Sequence, residues 1–340
     1  VSHPSTPQSP TSSPSTPGTP APTGPGTDSL EVVVIERRTV AHDVVELTLA
    51  RPDRSVLPPW APGAHLDLVL AEDLVRQYSL CGTPEERSTF MIAVRREAPG
   101  RGGSARVHDD LRVGARVRVR PPRNHFPLVR AAGYVLVAGG IGITPMLALA
   151  RAAAASGRSW QLHYCGRGAD RMPYAGDLVA AWPGQITLHD SVTEGRWDPR
   201  TALSGLERGT AVYCCGPTGL LSAVEEAVAP LPAVDVFTER FVPPAPDTAA
   251  TARPFEVHLA TSGRTLSVPT DRSILDVVEE ADLLAASSCR EGICGTCEVE
   301  VVSGEIEHRD AVLTPEERAE GETMMICVSR ACGPRLVLDL

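Results

Sequence analysis

The sequence predicts a multidomain protein of three successive units: an antiparallel β-barrel, an α/β domain around a parallel sheet, and a small β domain carrying a cysteine cluster. Three observations lead there. The 340 residues suffice for two or three domains at roughly 100–200 residues each. Up to about Pro127 the apolar residues fall in short, evenly spaced β-type runs, after which strands alternate with helical runs. Four of the nine cysteines then form one ordered pattern near the C-terminus.

Residues 1–28 are almost entirely Ser, Thr, Pro, Gly and Ala, a composition that builds no core and predicts a disordered linker, joined to something upstream or a simple tail. From 29 to 129 the runs EVVVIERR, VVELTLA, HLDLVL, RQYSLCG, TFMIAVRRE and ARVRVRP, separated by Pro, Gly and Asp turns, predict the barrel. One helix, Ser104 to Leu111, interrupts it. From 130 to 240, YVLVAG leads to a helix from Thr144, WQLHYC to one near Tyr174, and VYCCGP to Gly219–Ala229, the alternation of a parallel sheet. The stretch Ala131 to Ala150 is uncharged and long enough to span a membrane, but Gly139, Gly140, Gly142 and Pro145 break it where a strand–loop–helix unit would; no membrane association is expected. Residues 241–254 form a second linker. From 255 to 340 come the strands FEVHLA and RTLSVP, a helix from about Ser273, the cysteine loop, a short helix opened by the capping box Thr314-Pro315-Glu316-Glu317, and a last strand LVLDL.

Composition narrows the function classes. Hydrophobic residues at 42% provide for real cores. All 32 basic residues are Arg, so a Schiff-base amine, a pyridoxal-phosphate anchor and a Walker A lysine are excluded. Phosphates must be held by Arg forks, backbone N–H groups and hydroxyls. The net charge of −10 is localised: residues 255–340 hold 17 Asp and Glu against 7 Arg, so the 254 residues before them sum to zero. Such a chain is a poor nucleic-acid binder, and no nucleic-acid partner is expected. An acidic terminal domain fits an electrostatically steered docking surface, or solubility alone. Nine cysteines without a basic, then apolar leader argue against a secreted disulfide framework and predict a cytoplasmic protein.

Cys289-x4-Cys294-x2-Cys297, followed by Cys327, is plant-type [2Fe–2S] spacing. Structural zinc usually takes paired C-x2-C knuckles, and this pairing is asymmetric. Cys332 is spare. Gly139-Gly140-Ile141-Gly142-Ile143-Thr144-Pro145 follows a strand and opens a helix, whose free N–H groups and dipole suit a pyrophosphate. Cys215-Gly216-Pro217 ends a later parallel strand, and ligands bind beyond the carboxyl ends of such strands. In Arg76-Gln77-Tyr78-Ser79-Leu80 the alternation puts Arg76 and Tyr78 on one face and Ser79 on the other. An Arg fork, an aromatic face and a small hydroxyl make a flavin constellation, and Gly102-Gly103-Ser104 opens the barrel helix where N–H groups could hold the same phosphate.

Together RQYSL, GRGGS, GGIGITPM, CGP and SCREGICGTCEVEV…MMICVSR resemble one family over about residues 30 to 340. It is the phthalate dioxygenase reductase type of FMN-containing oxygenase reductases, and the chain is equally similar to the reductase module of self-sufficient cytochromes P450. The resemblance implies a β-grasp ferredoxin as the last domain and FMN held by Arg76, Tyr78, Ser79, Ala93, Val94, Arg95, Gly102, Gly103 and Ser104. It implies a nicotinamide nucleotide, NADH or NADPH, facing Gly139, Gly140, Thr144, Cys215, Gly216 and Pro217. Phe241 would cover the flavin ring, so that Ser79, Cys215 and Phe241 flank the chemistry. Cys289 and Cys294 would hold one iron, Cys297 and Cys327 the other. Lacking Lys, the chain would use Arg95 or Arg123 at the phosphate. The implied protein is a monomeric electron-transfer flavoprotein, an NAD(P)H-dependent oxidoreductase serving an oxygenase component or a fused oxygenase domain. Two other readings stay open: the C-terminal portion of a P450 fusion, and a flavin-free electron carrier. Coenzyme choice stays open too, because Gly166-Arg167-Gly168-Ala169-Asp170-Arg171 offers both Arg for a 2′-phosphate and Asp for a ribose hydroxyl.

Overall fold

The computed structural model describes residues 29–71, 74–97, 102–242 and 253–340, so the whole of the expected linker at 1–28 and most of that at 241–254 lie outside the described residues.

The first unit is a six-stranded sheet of β1 (Leu30–Ala41), β2 (Val44–Ala50), β3 (His65–Ala71), β4 (Leu74–Ser79), β5 (Phe90–Arg95) and β6 (Arg116–Arg123), in the order β4-β3-β6-β1-β2-β5 with every pairing antiparallel. Period-two alternation turns Val32 and Val34, Leu47 and Leu49, and Leu66 and Leu68 into its core. The helix α1 (Gly103–Asp110) follows a left-handed Gly102 and starts one residue before the expected position.

The second unit is a five-stranded, all-parallel sheet: β7 (Gly133–Gly139), β8 (Ser159–Gly166), β9 (Ile186–Asp190), β10 (Thr210–Cys215) and β11 (Asp235–Glu239), in the order β11-β10-β7-β8-β9. Its crossovers contain α2 (Ile143–Ala155), α3 (Ala175–Ala181), α4 (Pro199–Ala202) and α5 (Thr218–Val228). β7 and β10 are buried along their whole length, which is why they read as unbroken apolar runs. The uncharged stretch from Ala131 becomes β7, a single 3-10 turn and the first half of α2. No helix among the described residues is long and apolar enough to cross a membrane.

The third unit is a mixed sheet in the order β13-β12-β18-β14-β16, with β12 (Phe255–Leu259) parallel to β18 (Arg335–Leu338) and the other pairs antiparallel. β13 spans Arg264–Val268, β14 Glu298–Ser303 and β16 Thr323–Met325, and a small ribbon pairs β15 (Ile306–Glu307) with β17 (Arg330–Ala331). Reciprocal capping boxes start both helices: Ser273 with Asp276 at α6 (Ile274–Glu280), and Thr314 with Glu317 at α7 (Pro315–Glu320).

The units meet in two ways. The first two share a core, where Val44, Cys81, Ala93 and Phe126 pack with Leu136, Met146, Tyr164 and Tyr213 of the parallel-sheet unit. Polar ties stitch this seam: Tyr174 donates to the buried Glu46 at 2.8 Å, Tyr213 to the Pro127 carbonyl at 2.8 Å, and Arg151 to the Cys81 carbonyl at 3.1 Å. The third unit keeps a core of its own and meets the first through charged and polar groups.

Candidate functional site

A cavity of about 880 Å3 opens where all three units converge. Strand β4 contributes Arg76, Gln77, Tyr78 and Ser79, strand β5 contributes Ala93, Val94 and Arg95, and the start of α1 contributes Gly103 and Ser104. From the parallel sheet come Gly139, Ile141, Gly142 and Thr144 after β7, Gly216 and Pro217 after β10, and Glu239, Arg240 and Phe241 at the end of β11. The cysteine loop closes the wall with Glu291 and Ile293.

The sequence-derived candidates are therefore brought together with three exceptions. Gly102 and Gly140 stand just outside the lining, next to Gly103 and Gly139. Cys215 is fully buried behind it, its thiol 3.9 Å from the Glu239 carboxylate, and burial followed by that carboxylate pushes the thiol well above its ordinary value. Arg76, Tyr78 and Ser79 all line the cavity, because β4 is the edge of its sheet and the cavity wraps around its end. Of the two arginines proposed for phosphate, Arg95 lines the cavity, beside Glu97, whereas Arg123 is committed to Asp67 at 2.6 Å.

Tight backbone approach explains the glycine turn. A Cβ on Gly142 would sit 2.2 Å from the Cys215 carbonyl oxygen, so only glycine lets the turn after β7 nest against the end of β10.

Two groups invisible to motif reading dominate the electrostatics. Burial pushes the Glu239 carboxyl up to about 8, against the lowering influence of Ser79 and Cys215. Ser79 Oγ lies beside it but forms no hydrogen bond of normal geometry, leaving a buried hydroxyl without a partner in the cavity wall. His65 also lines the cavity. Burial, reinforced by Arg123, lowers it to about 4, so the ring is neutral, and its Nε2 is likewise unpartnered.

Behind the cavity the cysteine loop runs through positive φ at Arg290, Gly292 and Gly295. At Gly295 a Cβ would fall 2.4 Å from the His125 ring, so the loop presses on β6's following segment as closely as a backbone can. The thiols follow one another in a row, Cys294, Cys289, Cys327 and Cys297, each influencing the next. The Cys289 contact and burial push Cys294 far above its ordinary value, so its thiolate needs a cation beside it. No three His, Cys, Asp or Glu side chains among the described residues surround a single ion. Four thiols brought to one loop and one facing segment suit the closed four-thiolate site that the plant-type spacing implies. Cys332 is exposed and apart.

The loop is locked to the first unit by Asp67, which has no exposed side-chain surface. Its carboxylate accepts from Arg123 at 2.6 Å, Ser288 Oγ at 2.7 Å and Gln77 at 3.1 Å, with Arg120 at 3.5 Å. Arg120 also donates to the Ser287 carbonyl at 2.7 Å. Burial opposes the charge, but Arg123 and the hydrogen bonds outweigh it and hold the carboxyl below its usual range. His65 and His125 stack with centroids 6.0 Å apart, running from the cavity wall to the cysteine loop.

Residues 257–332 fit the 2Fe-2S iron-sulfur cluster binding domain family. The chain is 38% identical over 316 residues to the vanillate O-demethylase oxidoreductase of Pseudomonas sp. (strain HR199 / DSM 7063), covering 92% of this chain and 100% of that protein. It is 37% identical, with a TM-score of 0.68, to phthalate dioxygenase reductase, described as a modular structure for electron transfer from pyridine nucleotides to [2Fe–2S]; the match covers 92% of this chain and 98% of that one. An intact type IV self-sufficient cytochrome P450 monooxygenase gives a TM-score of 0.87 at 40% identity over 95% of this chain, which spans 43% of that protein's length.

Proposed function

Because the chain belongs to the phthalate dioxygenase reductase family, we propose that the three-walled cavity is where electrons pass from a pyridine nucleotide toward the cysteine cluster. The protein is an oxidoreductase, the reductase component of an oxygenase system: a flavin accepts hydride from NAD(P)H and delivers electrons singly to a [2Fe–2S] centre. The observation that carries the reading is that one cavity is walled by β4 of the first unit, the glycine turn of the second and Glu291 and Ile293 of the cysteine loop.

The residues present fit the groups they would hold. Arg76 and the N–H groups at the start of α1 would take the FMN phosphate, Tyr78 would flank the ring, and the orphaned Ser79 Oγ would donate to its polar edge. Phe241, 37% exposed at the mouth, is placed to lie over the ring until the nicotinamide displaces it. The Gly139–Gly142 turn and Gly216–Pro217 would hold the nucleotide, and Glu239 keeps a proton near neutral pH at the floor of the site. Cys289 with Cys294, and Cys297 with Cys327, would each hold one iron.

The partner is an oxygenase with a basic docking face, as a separate component or a fused domain, and the compartment is the cytoplasm. The high similarity to the P450 fusion favours the fused arrangement as a second reading. Cofactor analysis of the purified protein tests the proposal: one FMN with two iron and two acid-labile sulfide per chain is expected. A preparation that reconstitutes neither, or only the cluster, overturns it.

A further inference from the structure

A second hollow, about 350 Å3, lies at the far edge of the parallel sheet and is lined by Arg167, Ser191, Val192 and Arg196. It sits at the carboxyl ends of β8 and β9, the same end of the sheet that carries the glycine turn and Gly216. From β10 to β9 is three strand spacings, about 15 Å, so one extended dinucleotide can run along this edge from the main cavity.

The two loops that form the hollow are fastened together. Ser191 N and Ser191 Oγ both donate to the Gly166 carbonyl, at 3.0 and 2.9 Å. Asp190 ends β9, where a carboxylate could accept a ribose hydroxyl. Instead its Oδ1 accepts from the backbone N–H groups of Gly168 and Val192, both at 2.9 Å, turning the carboxylate into the loop. What faces the hollow is two exposed guanidinium groups that make no hydrogen bond or ion pair with any described residue, while the Ser191 hydroxyl is spent on fastening the loops. Asp170, Arg171 and Glu194 belong to the same loops but do not line it. An acceptor has been withdrawn and two forked donors left open, which suits a dianion and not a hydroxyl.

Resting on the reading of the main cavity as a pyridine-nucleotide site, we infer that this hollow receives the 2′-phosphate of the coenzyme, so that the chain selects NADPH over NADH through Arg167 and Arg196. Arg171, which the sequence offered equally, takes no part.

Anaerobic stopped-flow reduction of the holoenzyme's flavin by each coenzyme tests this, together with calorimetric binding of 2′,5′-ADP, 5′-AMP and inorganic phosphate. The expected result is a preference for NADPH and for 2′,5′-ADP of about tenfold or more. The preference should shrink about tenfold in Arg167→Ala and in Arg196→Ala, further in the pair, and stay intact in Arg171→Ala. The inference is overturned if NADH reduces the flavin as efficiently as NADPH, if the two variants keep the preference, or if inorganic phosphate and 5′-AMP bind as well as 2′,5′-ADP. If neither coenzyme reduces the flavin, the cavity reading itself falls; if only NADH does, that reading stands and the selectivity does not.

Discussion

The two seams of the molecule are built on opposite principles. Between the first two units the joint is largely apolar, with Phe126 edge-on to Tyr213 at 5.2 Å and side chains from both units in one core. Between the first unit and the cysteine loop it is a buried charge cluster, Asp67 against Arg120 and Arg123, completed by Ser288 from the other side. An apolar seam is non-directional and strong. A buried ion cluster contributes little net stability but is costly when one member is missing, so it specifies a single register. The difference matches two tasks. Hydride transfer needs the nucleotide and flavin held face to face, whereas one-electron transfer needs the cluster at a fixed distance from the flavin.

The seams can be broken separately, and the expected effects run from complete to modest. Cys294→Ser removes a thiol of the row and should abolish electron delivery to any acceptor downstream of the cluster, while nucleotide still bleaches the flavin; visible spectra and acceptor reduction read both. Asp67→Asn leaves two arginines without their counter-charge, a change that costs about 3–5 kcal/mol in comparable buried pairs, and should lower the melting temperature. Its flavin-to-cluster transfer should slow by an order of magnitude or more relative to flavin reduction. Since the Asp67 carboxyl is held below its ordinary value, the seam's charge contribution is complete above about pH 4 and is lost as acid protonates the group.

Glu239→Gln acts at the floor of the cavity instead. Wild-type flavin reduction should change near pH 8, where Glu239 loses its proton, and the variant's profile should be flat there. Stability follows the same sign. The folded carboxyl titrates above its unfolded value, so the wild type loses stability between about pH 4.5 and 8 as pH rises, and the variant should not. The smallest effect concerns the acidic third unit: rising salt should slow electron delivery to the oxygenase several-fold without altering flavin reduction by nucleotide.

These seams also mark what the sequence could and could not disclose. The cysteine loop was legible because its spacing is local, and the glycine turn because a strand must precede it and a helix follow. Asp67 was hidden for the opposite reason. In HLDLVL it alternates with Leu66 and Leu68, the pattern of a solvent-facing residue, yet Arg123, Gln77 and, from 221 positions away, Ser288 close over it. Glu239 sits between Thr238 and Arg240 at a strand end and looks like surface until Ser79 of the first unit and Cys215 are set beside it. Both became visible only through contacts between units. Cys215 is the converse case: its motif reads as a cavity wall, but its thiol lies behind Glu239 and away from the cavity.

The order of electron flow through the cavity is tested most directly by mixing the holoenzyme anaerobically with excess NADPH and following flavin and cluster absorbance together. The flavin should bleach first, and the cluster should follow at a slower rate that depends on Asp67 but not on nucleotide concentration. A cluster that is reduced without prior flavin bleaching, or that stays oxidised while the flavin is fully reduced, would contradict it.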